Sequence, residues 1–388
     1  PTSAEVIVVG GGPAGLTAAI ALACAKLDTT LVAPAHQADQ RTTALLAGSV
    51  AALRHLGAWE AAEAHAAPLR GIRIVDDRGG LFHAPEVLFE AAEIGLEAFG
   101  HNIENGKLVA ALAARAHTLD NLAWVEDAAT AVRCEAEGVT VETAGGARIS
   151  ARLAVGADGR SSLCRDAAGI VPHRWSYPQA AFVCNMSHAR DHHDVSTEFH
   201  TARGPFTLVP LGRRRSSLVW VTTAEQASAL QAMPRDARSH AVETAAHSML
   251  GRMSVDEACG VFPLSGLSVE QFAAGRIALV GEAAHVMPPI GAQGFNLGLR
   301  DALAVAETAQ RNREQYDDAG ADAGLASLDR ERRAEAQIRT TAVDWLNRSL
   351  LTDFLPAQAL RGIGLALLGG IGPLRRALMR QGVGPSSI

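Results

Sequence analysis

Four consecutive β-formers, Val6-Ile7-Val8-Val9, run directly into Gly10-Gly11-Gly12-Pro13-Ala14-Gly15 and then into an alanine- and leucine-rich stretch ending near Ala23. No other segment restricts the fold as strongly. Gly10, Gly12 and Gly15 satisfy G-x-G-x-x-G where a buried strand meets a helix. The first glycine admits the tight turn, the second lets backbone approach a pyrophosphate, and the third lets the helix pack on the strand. The unpaired N–H groups at the start of that helix, with Pro13 and Ala14 in its first turn, face the phosphate anions. The expected architecture is therefore α/β, built on a Rossmann-like dinucleotide-binding unit. A second strand is predicted at Thr29–Val32, but Ala33 follows it, where the fingerprint places an acid on the ribose.

Two later segments repeat the pattern of a strand ending in glycine and an acid. Leu153 to Ala157 leads into Asp158-Gly159-Arg160-Ser161-Ser162, where Ser161 or Ser162 is suited to cap a following helix. Ile277 to Val280 leads into Gly281-Glu282, then Pro288-Pro289-Ile290-Gly291-Ala292-Gln293-Gly294-Phe295-Asn296 and a helix through Leu303. Gly291 and Gly294 allow backbone to approach a flat ligand, and the helix start there offers N–H groups to negative charge on a reduced ring.

Composition narrows the chemistry. The 388 residues exceed one ordinary hydrophobic core, so two packed lobes are expected. With 35 Lys plus Arg against 41 Asp plus Glu, the net charge of −6 supplies no basic field for nucleic acid. Lys26 and Lys107 are the only lysines, which leaves almost no candidates for Schiff-base chemistry. No G-x-S-x-G supports a hydrolase. The five cysteines (Cys24, Cys134, Cys164, Cys184, Cys259) are odd in number, scattered and without Cys-x-x-Cys, and read as reduced thiols in a cytosolic protein. The apolar start lacks the basic flank of a signal peptide, and Gly362 to Leu374 is too short and glycine-rich to span a bilayer.

Taken in order, GGGPAG, ADGRSS and GEAAHVMPPIGAQGFN resemble the class A flavin monooxygenases of the p-hydroxybenzoate hydroxylase fold. Arg41 to Leu45, Leu53 to Gly57, Ile103-Glu104-Asn105, Gly204 to Leu211, Ser217 to Trp220 and Phe262-Pro263-Leu264 resemble the ubiquinone-biosynthesis hydroxylase branch in particular. The resemblance implies FAD as cofactor and NAD(P)H as co-substrate. It places Gly10, Gly12, Pro13, Ala14 and Gly15 along the FAD pyrophosphate and Arg41 at its phosphate or ribityl region. Asp158 and Gly159 fall in a motif linked with FAD and the transient pyridine nucleotide. Gly281 and Glu282 fall at the ribityl or pyrophosphate segment, and Pro288, Gly291, Gln293, Gly294 and Asn296 border the isoalloxazine. The implied reaction is hydroxylation of an aromatic ring, a polyprenylated phenol in ubiquinone biosynthesis, by O2 through a flavin C4a-hydroperoxide. No single catalytic side chain is singled out. Three positions depart from the family pattern: Glu282 stands for Asp, Ala33 for the ribose acid, and Gly106 for an Arg after the Asn.

The same resemblance implies a discontinuous FAD-binding domain (1–70, 101–175 and 268–340), an inserted sheet-rich substrate domain (71–100 and 176–267) and a C-terminal helical tail (341–388). Alternation in 71–76, 196–200 and 216–221 fits half-buried strands. The tail carries Arg361, Arg375, Arg376 and Arg380 among apolar residues. It fits either a basic surface for a membrane or a quinone-biosynthesis complex, or a helix pair packed on the body. A cytoplasmic protein, peripheral to the inner membrane, is the matching location.

His188, His192, His193, Asp194 and His200 match no closed zinc spacing, so no metal is expected. Arg213-Arg214-Arg215 reads as a solvated turn, with phosphate recognition as the alternative. His285 reads as a structural histidine at a strand end. Two other functions stay open: an FAD-dependent reductase or dehydrogenase of the same fold, and a non-catalytic flavoprotein scaffold.

Overall fold

The computed structural model describes residues 2–35, 39–79, 85–289 and 293–351, with Arg375, Arg376, Met379 and Arg380 of the C-terminal segment. Thr2–Val9 is the central strand of the first sheet. It pairs in parallel with Thr29–Val32 on one side and with Arg148–Gly156 on the other. Leu122–Val125 and Ile277–Leu279 extend the parallel set outward. Antiparallel additions at 129–134, 139–143 and 273–274 complete eight strands.

The helix Pro13–Cys24 is buried at every position from Gly15 to Ala23. It is sandwiched between the sheet and the helices Asn105–Ala116 and Gln293–Tyr316, which is why it is apolar all round. Val6, Val8, Leu16, Ile20, Leu112 and Leu299 share this core, while Ile7, Val9 and Leu279 on the other sheet face join Cys164, Leu267 and Phe272.

Parallel register has one consequence that matters most. The carboxyl ends of the five parallel strands stop at one edge, stitched by Gly10 N to Val32 O, Ala33 N to Val125 O, Ala157 N to Val9 O and Val280 N to Gly156 O. Gly10, Ala33, Asp158 and Gly281, far apart in sequence, therefore begin their loops side by side. Open α/β sheets take ligands at this edge.

The second eight-stranded sheet runs in the order 285–286, 253–269, 172–188, 215–223, 204–210, 195–201, 71–77, 87–90. All pairs are antiparallel except 195–201 with 71–77. One face packs on helices Ala224–Ala232 and Arg235–Ala245 through Phe182, Met186, Phe206, Leu218, Leu230 and Val242. The opposite face carries Ala181, Val183, Val219, Val221 and Leu264. That face meets the first lobe: Asn185 Nδ2 donates to Gln40 O at 3.0 Å, and Thr42 Oγ1 to Ser217 Oγ at 2.9 Å. A small sheet of Thr42–Leu46, Gly100–Glu104 and Ala67–Pro68 lies at the junction.

The predicted strands at 71–76, 196–200 and 216–221 lie within observed strands Gly71–Asp77, Val195–Thr201 and Arg215–Thr223. A single helix, Asp322–Leu351, crosses residue 341, where the tail was expected to start.

Candidate dinucleotide site

The first loop is shaped by what its glycines forbid. Gly10 has φ +113°, and a Cβ there would lie 2.3 Å from Ala157 O. A Cβ on Gly15 would lie 1.9 Å from Gly10 O. These two glycines are required by the protein's own backbone. Gly12 is different: φ is −70°, and a Cβ would meet nothing within 4 Å. Gly12 is also the N-cap, with no side-chain cap, and Pro13 occupies the first turn. The leading N–H groups of a helix have no intrahelical partner, so open space here lies before free donors and a positive dipole end. This is the cradle a pyrophosphate fits. Ala33 is buried, and a Cβ on the adjacent Gly11 would stand 2.7 Å from its methyl.

Arg41 does not stand alone. Asp39 accepts its Nε at 2.9 Å and its terminal nitrogen at 2.7 Å. Asn105 Nδ2 donates to the same carboxylate at 3.0 Å, and Thr43 Oγ1 donates to Asn105 Oδ1 at 2.6 Å. Burial raises the Asp39 carboxyl, but the hydrogen bonds from Arg41 and Asn105 outweigh it and hold the group below the usual range. Gly106 N donates to Asp39 O at 2.9 Å, a backbone tie to the same residue. The Arg41 guanidinium lies 5.3 Å from the centre of the Phe262 ring, on the second sheet.

Glu282 pairs with Arg160, Nε to Oε2 at 3.0 Å, and Arg160 also reaches Ser265 Oγ at 3.3 Å. Both side chains are about half exposed at the cleft (52% and 57%). Asp158 faces inward: its oxygens accept Ser162 Oγ at 2.5 Å and Cys164 N at 3.0 Å. Ser162 in turn caps Leu163–Ala167 through Arg165 N. Buried Arg165 donates to Ala283 O and Arg160 O, both at 2.9 Å, and so ties the second loop to the third. Gly159, at φ +78°, carries the chain out of the strand end.

The third loop rests on a buried charge network. Gly281 has φ +61°, and a Cβ on Gly298 would lie 3.0 Å from its Cα. One turn beyond Gly298, fully buried Asp301 accepts Gly281 N at 3.1 Å, His285 Nε2 at 2.6 Å and Arg332 Nε at 2.9 Å. Arg332 also bonds Glu335, which accepts Arg300 at 2.8 Å. Burial raises the Asp301 carboxyl, but His285, Arg332 and the Gly281 N–H outweigh it and leave it lowered.

Asn296 is buried: its Oδ1 accepts Leu46 N at 2.9 Å and Ser49 Oγ at 2.6 Å, and its Nδ2 donates to Ala44 O at 2.9 Å. It clamps the strand after Arg41 onto the helix after Gly294. Asn296→Ala is expected to cost about 2–3 kcal/mol, because two half-buried backbone groups and the buried Ser49 hydroxyl lose their partner. Thermal unfolding measures this, and an unchanged melting temperature would refute the clamp. Pro288 is buried and Gly294 opens onto free space. Gly291 lies outside the described residues, as does the Gln293 side chain, although its backbone starts the helix.

The sequence reading did not select Asp39, Asn105, Arg160, Asp301 or Arg332. Asp301 left one signal, an acid inside the apolar run Leu297 to Leu303. Arg160 lay inside the quoted ADGRSS motif without a role assigned to it, and Asp39 left no signal.

The remaining candidates lie elsewhere. His188 bonds Ser216 and Arg190 O, His192 bonds Gly212 O, and His200 pairs with Glu198. Arg213 and Arg214 are exposed in a turn, whereas Arg215 enters the strand and pairs with Asp256 at 2.7 Å. Among the tail residues described, Arg375 Nε donates to Glu93 at 2.7 Å, its guanidinium lies 4.6 Å from the Phe89 ring centre, and Met379 is buried beside Phe99. Arg376 and Arg380 are exposed, and Arg361 lies outside the described residues.

Comparison with known proteins agrees with this geometry. The sequence model of the family described as "FAD binding domain" matches residues 3–342. Ubiquinone hydroxylase UbiL of Rhodospirillum rubrum is 31% identical, over 98% of this chain and 90% of that protein. The 3-demethoxyubiquinol 3-hydroxylase of Escherichia coli is 31% identical, over 98% of both. Among solved structures, p-nitrophenol 4-monooxygenase PnpA from Pseudomonas putida DLL-E4 superposes with a TM-score of 0.80 over the whole of both chains at 17% identity, a likeness of fold. The chain belongs to the FAD-binding monooxygenase family that includes the ubiquinone-biosynthesis hydroxylases, and FAD is its cofactor.

Proposed function

We propose that this protein hydroxylates the aromatic ring of a polyprenylated phenol in ubiquinone biosynthesis, using NAD(P)H and O2. The observation that carries the reading is the apolar face that the second sheet turns toward the first lobe, against the segment around Arg41. Ala181, Val221 and Leu264 are buried in an apolar wall on that face, with Val183 and Val219 half-buried and Phe262 beside Arg41. Two polar side chains on the same face are engaged: Asn185 with Gln40 O and Glu104, Ser217 with Thr42 and Asn102. Such a wall excludes water and suits an uncharged ring with a hydrocarbon chain.

FAD, when bound, supplies the two-electron chemistry and the activation of O2. The chain supplies binding and orientation. Gly10, Gly12, Pro13, Ala14 and Gly15 would receive the pyrophosphate on backbone donors, and Arg41, fixed by Asp39, would add positive charge at the same end. Asp158, Gly159, Gly281 and Glu282 would shape the turns around the sugar-alcohol segment. Pro288, Gly291, Gln293, Gly294 and Asn296 would set the ring against the apolar wall.

The finer location, the cytoplasmic side of the inner membrane or a quinone-biosynthesis complex there, is supported by the chemistry of a prenylated substrate and by exposed Arg376 and Arg380. Among the described residues, no helix is long and apolar enough to cross a membrane.

Turnover of the purified protein with NADH or NADPH, a prenylated phenol and isotopically labelled O2 tests the proposal. One labelled oxygen atom is expected in the ring of the product. Nucleotide oxidation with a saturated isoprenoid and no label in the product would assign a reductase instead.

A further inference from the structure

Behind the apolar wall, on the face covered by helices, Cys184 and Cys259 are direct partners across the antiparallel strands 172–188 and 253–269. Residues paired this way point to the same side, with Cα atoms roughly 4.5–5.5 Å apart, inside the span of roughly 4.4–6.8 Å that a disulfide bridges. Both are free thiols, Cys184 buried and Cys259 half-buried.

A second observation concerns the cation beside them. Arg238 is 6% exposed and, among the described residues, has no carboxylate within ion-pair distance. Its terminal nitrogen donates to Gln231 O at 3.3 Å and to Cys259 Sγ at 3.1 Å, and its Nε has no partner. The nearby carboxylate, Asp256, is engaged by Arg215. Buried charges are ordinarily paired, and the acidic group this guanidinium touches is a thiol.

We propose that Cys184 and Cys259 form a peroxide-sensitive modification site, oxidised to a cross-strand disulfide. The Cys259 sulfur attacks one oxygen of hydrogen peroxide, the O–O bond breaks, and the departing hydroxide takes up the thiol proton as water. The resulting sulfenic acid is attacked by the Cys184 sulfur. The S–S bond forms, the S–O bond breaks, and a second water leaves with the Cys184 proton. Two thiols lose two electrons, and one peroxide becomes two waters. Cys259 is half-buried and Cys184 buried, so peroxide reaches Cys259 first and Cys184 is the resolving partner. The crosslink would pin together the two strands whose other faces carry Val183 and Phe262 toward the cleft.

The test is peptide mapping of the FAD-loaded protein after hydrogen peroxide, with free thiols alkylated during unfolding. Trypsin places Cys184 in residues 175–190 and Cys259 in residues 253–276, one cysteine each. The expected product is these two peptides joined, lighter than their sum by two hydrogens and separated by dithiothreitol. In Cys184→Ser the reaction should stop at a dimedone-reactive sulfenic acid on Cys259. Arg238→Met should slow crosslinking by about tenfold. Exposed Cys134 is the internal control. If peroxide that oxidises Cys134 leaves Cys184 and Cys259 separately alkylated, or if dimedone labels no Cys259 in Cys184→Ser, the proposal fails. The unsubstituted protein decides this even if the Arg238 variant does not fold.

Discussion

Gly12→Val should give a folded protein that purifies colourless, with a melting temperature essentially that of the FAD-free parent. Its affinity for FAD is expected to fall at least about 100-fold, equivalent to ~2.7 kcal/mol. The reason is the contrast among three glycines within one loop. Gly10 and Gly15 face the protein's own carbonyls at 2.3 and 1.9 Å, so a larger residue at either disrupts the turn itself. Gly12 has an ordinary φ of −70° and empty space where a side chain would go. A valine there obstructs only what approaches from outside, the phosphate groups aimed at the helix start. Gly10→Val and Gly15→Val should instead fail to accumulate as soluble protein. Equilibrium titration of FAD into the Gly12 variant, beside circular dichroism, checks both halves. Unaltered FAD affinity would move the pyrophosphate away from this loop.

Asp301→Asn is expected to destabilise the protein by about 3–5 kcal/mol, because it leaves Arg332 buried opposite a neutral amide. For a chain of this size that corresponds to a fall in melting temperature of roughly 4–6 °C. The pH dependence follows from the lowered folded-state pKa of Asp301. Its contribution is fully present above the unfolded value, about 3.9, and is lost as pH falls through the lower folded value. The parent should therefore lose this contribution only in strong acid. The Asn variant should lack it at neutral pH and show a shallower decline below about pH 4. Because Asp301 also accepts Gly281 N, weaker FAD retention should accompany the loss of stability. Melting curves between neutral and acid pH measure the effect, and coincident curves for parent and variant would show the network to be energetically idle.

Much of the fold was legible along the chain because its signals are local. The run Val6 to Val9 followed by G-x-G-x-x-G demands a buried strand, a tight turn and a helix from backbone sterics alone. Thr29–Val32 was readable for the same reason, as was a serine cap after Asp158, which Ser162 provides. The strand–Gly–acid joints at 156–159 and 279–282 signalled loops at a sheet edge without showing that the edges coincide. That coincidence comes from parallel pairing, which relates residues more than a hundred positions apart.

The polar scaffolding was not legible, and the reason is physical. Arg41 pairs with Asp39, Glu282 pairs with Arg160, and Asn296 spends its amide on Ala44 and Leu46. An arginine and a carboxylate recognise each other across space, and no periodicity announces the partner. The same holds for Arg238 beside Cys259, which scattered cysteine spacing could not suggest.

By itself, then, the sequence determined the backbone geometry of the dinucleotide loops, since glycine positions, β-branched runs and helix formers act within a few residues. Tertiary structure alone decided which charges are neutralised, which polar atoms remain available to a ligand, and which thiols face one another. Those outcomes depend on desolvation and on distances between strands and helices that only the packed chain defines.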